Sequence, residues 1–307
     1  MSVAIAGALA LGAGLRTVQY VGSTSLWYDE LTVALNIDKR PTVELIARPL
    51  AYRQVAPVGF LVAVKTATAF LGSSELAFRL IPWLSGVSAM FLFALVARRV
   101  VSGAGLTAAV MCFACSPALI WYGANVKPYS GDVAITLLLV WLALRFHERP
   151  DNAREAVAAG VLGGAATLCS FPAVPTALVL GLLLLAMHHR ADRAVAAPLR
   201  SLTGLWLGAS IAAAAAAFLL LDPATSLYMH RYWADGFMPI PSLTGDWAWI
   251  PRHLLTTFAH FLMFDPRELG IGGLAFVGFA SAAAVGGAVV LFQNRSPEFA
   301  LIVAPVV

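Results

Sequence analysis

The sequence predicts an all-α fold, a polytopic transmembrane helical bundle with amphipathic juxtamembrane helices in its first outer loop. Three observations carry the prediction: 60% of the 307 residues are hydrophobic, only 12% are charged, and mean hydropathy is +0.81. A soluble domain of this size has too little interior to hide so much apolar surface. The apolar residues also run in stretches long enough to cross roughly 30 Å of hydrocarbon.

Such stretches lie near residues 2–22, 79–98, 104–123, 128–146, 154–171, 174–189, 200–221 and 270–292. The first lacks a basic leading region and continues through Arg16 to about Gly22, so it reads as an uncleaved span rather than a signal peptide. A ninth stretch begins near Glu298 and has only about ten residues before Val307, too few to span. The 307 residues are therefore expected to form one module, incomplete at its C-terminus.

The run from Pro57 to Leu71 is short and carries Lys65 in its middle, and a crossing there would invert everything after it. Charge decides the matter. If it does not cross and the N-terminus is cytoplasmic, nine arginines fall in about 35 residues of short inner loop. Ten Lys and Arg residues then spread over more than about three times that length outside, as the positive-inside rule requires. Residues 57–71 are thus expected to lie at the outer surface as an amphipathic or re-entrant helix. On this topology the first outer loop is 23–78, a short outer turn covers Tyr122 to Asp132, and a third outer region covers 222–269. The expected location is the cell membrane, with the chemistry on its periplasmic or extracellular face.

Several function classes fall away. Lys and Arg exceed Asp and Glu by 20 to 16, but no basic run or stripe marks a nucleic-acid partner. Cys112 and Cys115 form a C-x-x-C inside an apolar helix, where small packing residues are the simpler reading than a redox pair. No Walker loop, dinucleotide fingerprint, nucleophile elbow or metalloprotease signature occurs. His253 and His260 stand seven apart with no third ligand at zinc spacing.

Four groups of residues remain. Asp29 and Glu30 follow the first span and open a short helical pattern, just after Trp27 and Tyr28, which favour the headgroup level. Acidic residues at a helix start also complement the macrodipole, but paired carboxylates at the membrane surface suit acid–base work. Second, Lys127, Tyr129 and Asp132 cluster around Pro128, a residue suited to a first helical turn, which would put Tyr129 and Asp132 on one face. Lys127 either snorkels toward water and pairs with Asp132, or binds phosphate as a point charge. Third, Arg53 and Lys65 could meet an anionic headgroup of substrate or of ordinary lipid. Fourth, Arg231, Tyr232 and Trp233 open an aromatic stretch that is either an interfacial belt or a platform for a sugar ring or lipid tail.

The acidic pair after the first span, a proline at the start of a surface helix, the "RLIPWLSG…ARR" span and the run "SPALIWYGANVKPYSGD" together resemble the GT-C membrane glycosyltransferases. The branch is the one that holds protein mannosyltransferases and the lipid A aminoarabinose transferase. The resemblance covers about residues 20–150, and "YWADGFMP" is similar to related bacterial members. It implies a polyprenyl-phosphate sugar donor, a lipid, polysaccharide or protein acceptor, and contact with membrane lipids. By position, Asp29 takes the role of general base with Glu30 as its neighbour, and Lys127, Tyr129 and Asp132 hold donor phosphate and sugar. The resemblance names no certain cofactor. It leaves room for a divalent cation, but Asn125 stands where relatives often carry an acidic residue, so no metal ligand is assigned. The rivals are a lipid or solute transporter, which should place ionisable groups within several spans, and a non-catalytic scaffold of the same fold.

Overall fold

The computed structural model describes residues 2–22, 25–189, 192–232 and 296–303, with single positions at 234, 248, 286, 289, 290 and 293. Among them every regular element is an α-helix and no strand occurs. In chain order these are α1 (Val3–Gly22), α2 (Tyr28–Lys39), α3 (Thr42–Ala47), α4 (Val58–Leu71), α5 (Glu75–Ala97), α6 (Gly103–Ala114) and α7 (Pro117–Tyr122). Then follow α8 (Tyr129–Glu148), α9 (Ala153–Thr167), α10 (Ala173–Met187), α11 (Arg193–Leu220), α12 (Pro223–Tyr232) and α13 (Ser296–Val303). The chain is an all-α membrane bundle. The expected span at 270–292, apart from the single positions 286, 289 and 290, lies outside the described residues, as do Trp233, Trp247, Trp249, Arg252, His253, His260 and Phe261.

Among the described residues α1, α5, α8 and α11 are long and apolar enough to cross a bilayer. Two departures from the expected spans have a plain physical reason. Helix α5 starts at Glu75, not near residue 79, because the Ser74 hydroxyl accepts the Ala77 N–H at 3.2 Å and caps it. That places Arg79 inside the helix. The expected span at 104–123 is two pieces, α6 and α7, because Pro117 has no N–H for the Phe113 carbonyl four residues back. Arg16 substitutes for it: Nη2 reaches the Phe113 oxygen at 3.4 Å, and Nη1 donates to the oxygens of Ala114 at 2.6 Å and Gly12 at 3.2 Å. A guanidinium that is 1% exposed therefore caps the negative end of α6. Helices α9 and α10, with 15 residues each, are about 22 Å long, and the 14-residue α4 about 21 Å.

Lipid tails are as apolar as leucine, so helices here associate by close contact rather than by escape from water. Leu182, Ile211 and Phe218 accordingly point outward while Trp206 and Leu139 are buried. Helix α9 meets α11 through Gly160, Gly163 and Gly164, and the Trp206 indole sits against Gly163 and donates to the Ala159 carbonyl at 3.0 Å. At Gly12, an added Cβ would come within 2.7 Å of Ala114 Cβ and 2.6 Å of Met90 Sδ, so α1, α5 and α6 pack at near backbone contact. Helix α8 joins the core of α9, α10, α11 and α13 to the core of α1, α5 and α6. A third, smaller core of Val33, Ile37, Phe60, Leu61, Val64, Phe78 and Val126 seats α2 and α4 on α5. The first turn of α4 is pinned further by Gly59, whose N–H donates to the Leu168 oxygen at 2.9 Å.

Candidate active site

Asp29 and Glu30 occupy the first turn of α2, where carboxylates meet the positive end of the helix dipole. Side-chain direction then separates them. Glu30 turns inward and is 6% exposed. Its Oε2 accepts the Trp27 N–H at 3.1 Å, half of a capping box, and its Oε1 accepts the Val126 N–H at 2.8 Å. Arg79, 2% exposed, approaches the same carboxylate at 3.5 Å, reaches Glu75 at 3.7 Å and donates to the Ser25 oxygen at 3.2 Å. Glu30 thus ties α2 to α5 and to the turn before α8, and its oxygens are occupied.

Asp29 faces the other way with half its side chain exposed, at 50%. Lys127 Nζ lies 2.8 Å from its Oδ2. The backbone delivers that lysine through a tight turn in which the Lys127 N–H bonds the Asn125 oxygen at 2.7 Å, while the Val126 N–H is held by Glu30. Gln54, from the segment before α4, closes a ring: its Nε2 donates to Asp29 Oδ1 at 3.1 Å, and its Oε1 accepts from Lys127 Nζ at 2.8 Å.

Tyr129 stands beside this ring, edge-on to Tyr122 with centroids 5.1 Å apart. Asp29, Asp132 and Tyr232 are close enough to act on its hydroxyl electrostatically. Ser170 lies within hydrogen-bonding reach of Asp132, whose Oδ1 has no partner among the described residues. Tyr232 stacks on Tyr228 at 5.9 Å, and the Arg53 guanidinium lies 4.8 Å over the Tyr228 ring. Arg231 is exposed in the last turn of α12. The structure therefore gathers Asp29, Lys127, Tyr129, Asp132 and Tyr232 at one end of the bundle, with Arg53 reached through Tyr228.

Lys65 is not brought to them. Its Nζ donates to the Ile37 and Asp38 carbonyls at 2.6 and 3.2 Å, capping the far end of α2, about 14 Å along the helix from Asp29. Hydrogen bonds from Lys39 and Ser73 hold the Asp38 carboxyl there below the usual carboxylate range. Among the described residues no three His, Cys, Asp or Glu side chains converge. With Glu30 occupied and an ammonium against Asp29, these residues do not fit a divalent cation. Sequence reasoning passed over Gln54 and Arg79. Nothing in the sequence separates Gln54 from any other loop glutamine, whereas Arg79 carried a signal, a cation inside an apolar stretch with acidic residues in the preceding loop.

A family model described as dolichyl-phosphate-mannose-protein mannosyltransferase matches residues 54–218, more than half of the chain, and with the helical bundle it defines a membrane glycosyltransferase. The chain belongs to that mannosyltransferase family. The match begins at Gln54, so it takes in Lys127, Tyr129 and Asp132 but not Asp29 and Glu30. No curated protein and no solved structure matches the chain.

Proposed function

We propose that the protein transfers a sugar from a polyprenyl-phosphate-linked donor to an acceptor hydroxyl at the outer face of the membrane, with Asp29 as general base. The supporting observation is the 2.8 Å contact between Asp29, half exposed, and Lys127, from segments 98 positions apart. A base and a cation side by side are what the reaction needs. The acceptor oxygen forms its bond to the anomeric carbon and gives its proton to the Asp29 carboxylate, while the bond from that carbon to the phosphate oxygen breaks. The polyprenyl phosphate leaves with the electron pair, and its charge is met by the Lys127 ammonium. Displacement from the opposite side inverts the anomeric centre. Tyr129, Tyr232 and Asp132 border the space in which the sugar sits, with Trp233 next in sequence. Arg53 and Arg231 supply further positive charge for phosphate or headgroup. The lipid tail keeps the donor in the bilayer, so these groups belong at the membrane surface rather than in a soluble domain.

Sugar transfer in membranes carrying the wild-type chain, Asp29→Asn or Lys127→Ala, with chain abundance measured for each, tests the reading. Both variants are expected to lose transfer by about 10²–10⁴-fold at normal abundance. Wild-type transfer by Asp29→Asn removes Asp29 as the base.

A further inference from the structure

The segment that carries Gln54 is built with care that its surroundings do not require. Asn36, 2% exposed, clamps Ala51 from both sides: its Oδ1 accepts the Ala51 N–H at 2.8 Å and its Nδ2 donates to the Ala51 oxygen at 3.2 Å. Tyr52 and Arg53 then adopt φ of 60° and 55°, a left-handed region that residues with a Cβ seldom occupy and that is tolerated where function demands it. A turn bond from the Gln54 N–H to the Ala51 oxygen at 3.4 Å closes the reversal, and the stacking of Arg53 on Tyr228 holds it against α12. The product of this strained turn is one amide placed between Asp29 and Lys127. Its orientation is set by chemistry, since a carboxylate only accepts and an ammonium only donates.

Burial explains why the Lys127 ammonium, in a residue 8% exposed, takes Gln54 as an acceptor, but not why Asp29 takes Gln54 as a donor. Asp29 is half exposed and could take its hydrogen bonds from water. The proposed reaction does explain it, because Lys127 cannot keep its full attraction for Asp29 while neutralising a departing phosphate. We propose that Gln54 is a positioning residue: its Nε2 holds the Asp29 carboxylate in the reactive geometry when donor phosphate draws Lys127 away, and its Oε1 keeps the ammonium within reach of both. This inference rests on the reading of Asp29 as base and Lys127 as phosphate ligand.

The test is steady-state transfer by the full-length protein in lipid nanodiscs, with a polyprenyl-phosphate sugar as donor. Gln54→Met keeps the length and removes both bonds. It is expected to lower kcat by about 10–100-fold, the cost of a misplaced reacting group, while donor KM stays within about threefold. Gln54→Glu repels Asp29 and competes with phosphate for Lys127, so it is expected to raise donor KM by about tenfold or more as well as lowering kcat. In an Asp29→Asn background, Gln54→Met should cost clearly less than in the wild type, because the part of its effect that runs through Asp29 has nothing left to position. Wild-type kcat in Gln54→Met, or the same fractional loss in both backgrounds, overturns the inference. If Gln54→Met does not accumulate, Gln54→Glu decides, and an unchanged donor KM there overturns it equally. Wild-type transfer by Asp29→Asn alone would instead remove the base assignment on which the inference stands.

Discussion

The two ends of α8 carry similar charges and use them differently. At its start, Lys127 meets Asp29 and Gln54 across 98 and 73 positions of sequence, with the lysine side chain 10% exposed. At its finish, about 30 Å away, Arg145 and Arg149 pair with Glu155 only 10 and 6 positions on, and Arg99 pairs with Glu148. Most of those side chains keep partial contact with solvent, Arg149 at 60%, Glu148 at 43%, Glu155 at 37% and Arg145 at 32%, while Arg99 is at 18%. Surface pairs of this kind contribute roughly 0–1 kcal/mol and anchor a helix end near the headgroups. A cation drawn inward beside a half-exposed carboxylate is a different object, because desolvation strengthens its attraction for any anion that arrives. The comparison teaches that packing between distant segments can draw a cation inward against a carboxylate that stays open, whereas the pairs made with Glu155 follow from local sequence.

That contrast can be broken from the site end first. Glu30→Gln removes the charge facing buried Arg79 and weakens the bonds to Trp27 and Val126. Loss of one partner of a buried pair costs about 3–5 kcal/mol, so a sharp fall in thermal stability in detergent is expected. If Glu30→Gln unfolds like the wild type yet loses transfer, Glu30 has a direct chemical part rather than the tying role its contacts indicate.

Arg16→Met sharpens the comparison, because it tests a buried cation used only to hold backbone. Stranding the carbonyls of Phe113 and Ala114 costs about 1–3 kcal/mol for each group left unsatisfied. The expected result is a lower unfolding temperature together with displacement of α7 and hence of Tyr122. Transfer per folded molecule should fall less than in Asp29→Asn, and an equal or greater fall would bring Arg16 into the site.

The smallest effect is expected at the far end of α8. Glu155→Gln should change stability by no more than about 1 kcal/mol and leave transfer unaltered. A loss of transfer there would mean that the two ends are coupled through the helix.

Much of this was legible in the sequence. Hydropathy alone called for a helical membrane bundle, and the acidic pair with the Lys127–Asp132 cluster pointed to the residues that the fold assembles. Lys65 was legible only as a cation in an apolar stretch, since sequence spacing does not show that the carbonyl end of α2 would claim it. The break at Pro117 could be read from the proline, but not that Arg16, a hundred positions earlier, would satisfy the oxygen it frees.

By itself the sequence determined the solvent, the helical class of the secondary structure and most of the ionisable candidates, because these follow from composition and from periodicity along one chain. Only the tertiary structure decided that of two adjacent carboxylates Asp29 stays open while Glu30 is consumed by Val126, Trp27 and Arg79. It alone also decided that Gln54 stands between Asp29 and Lys127. The physical reason is that consecutive side chains on a helix diverge by about 100°, so each meets whatever the rest of the fold brings to its side.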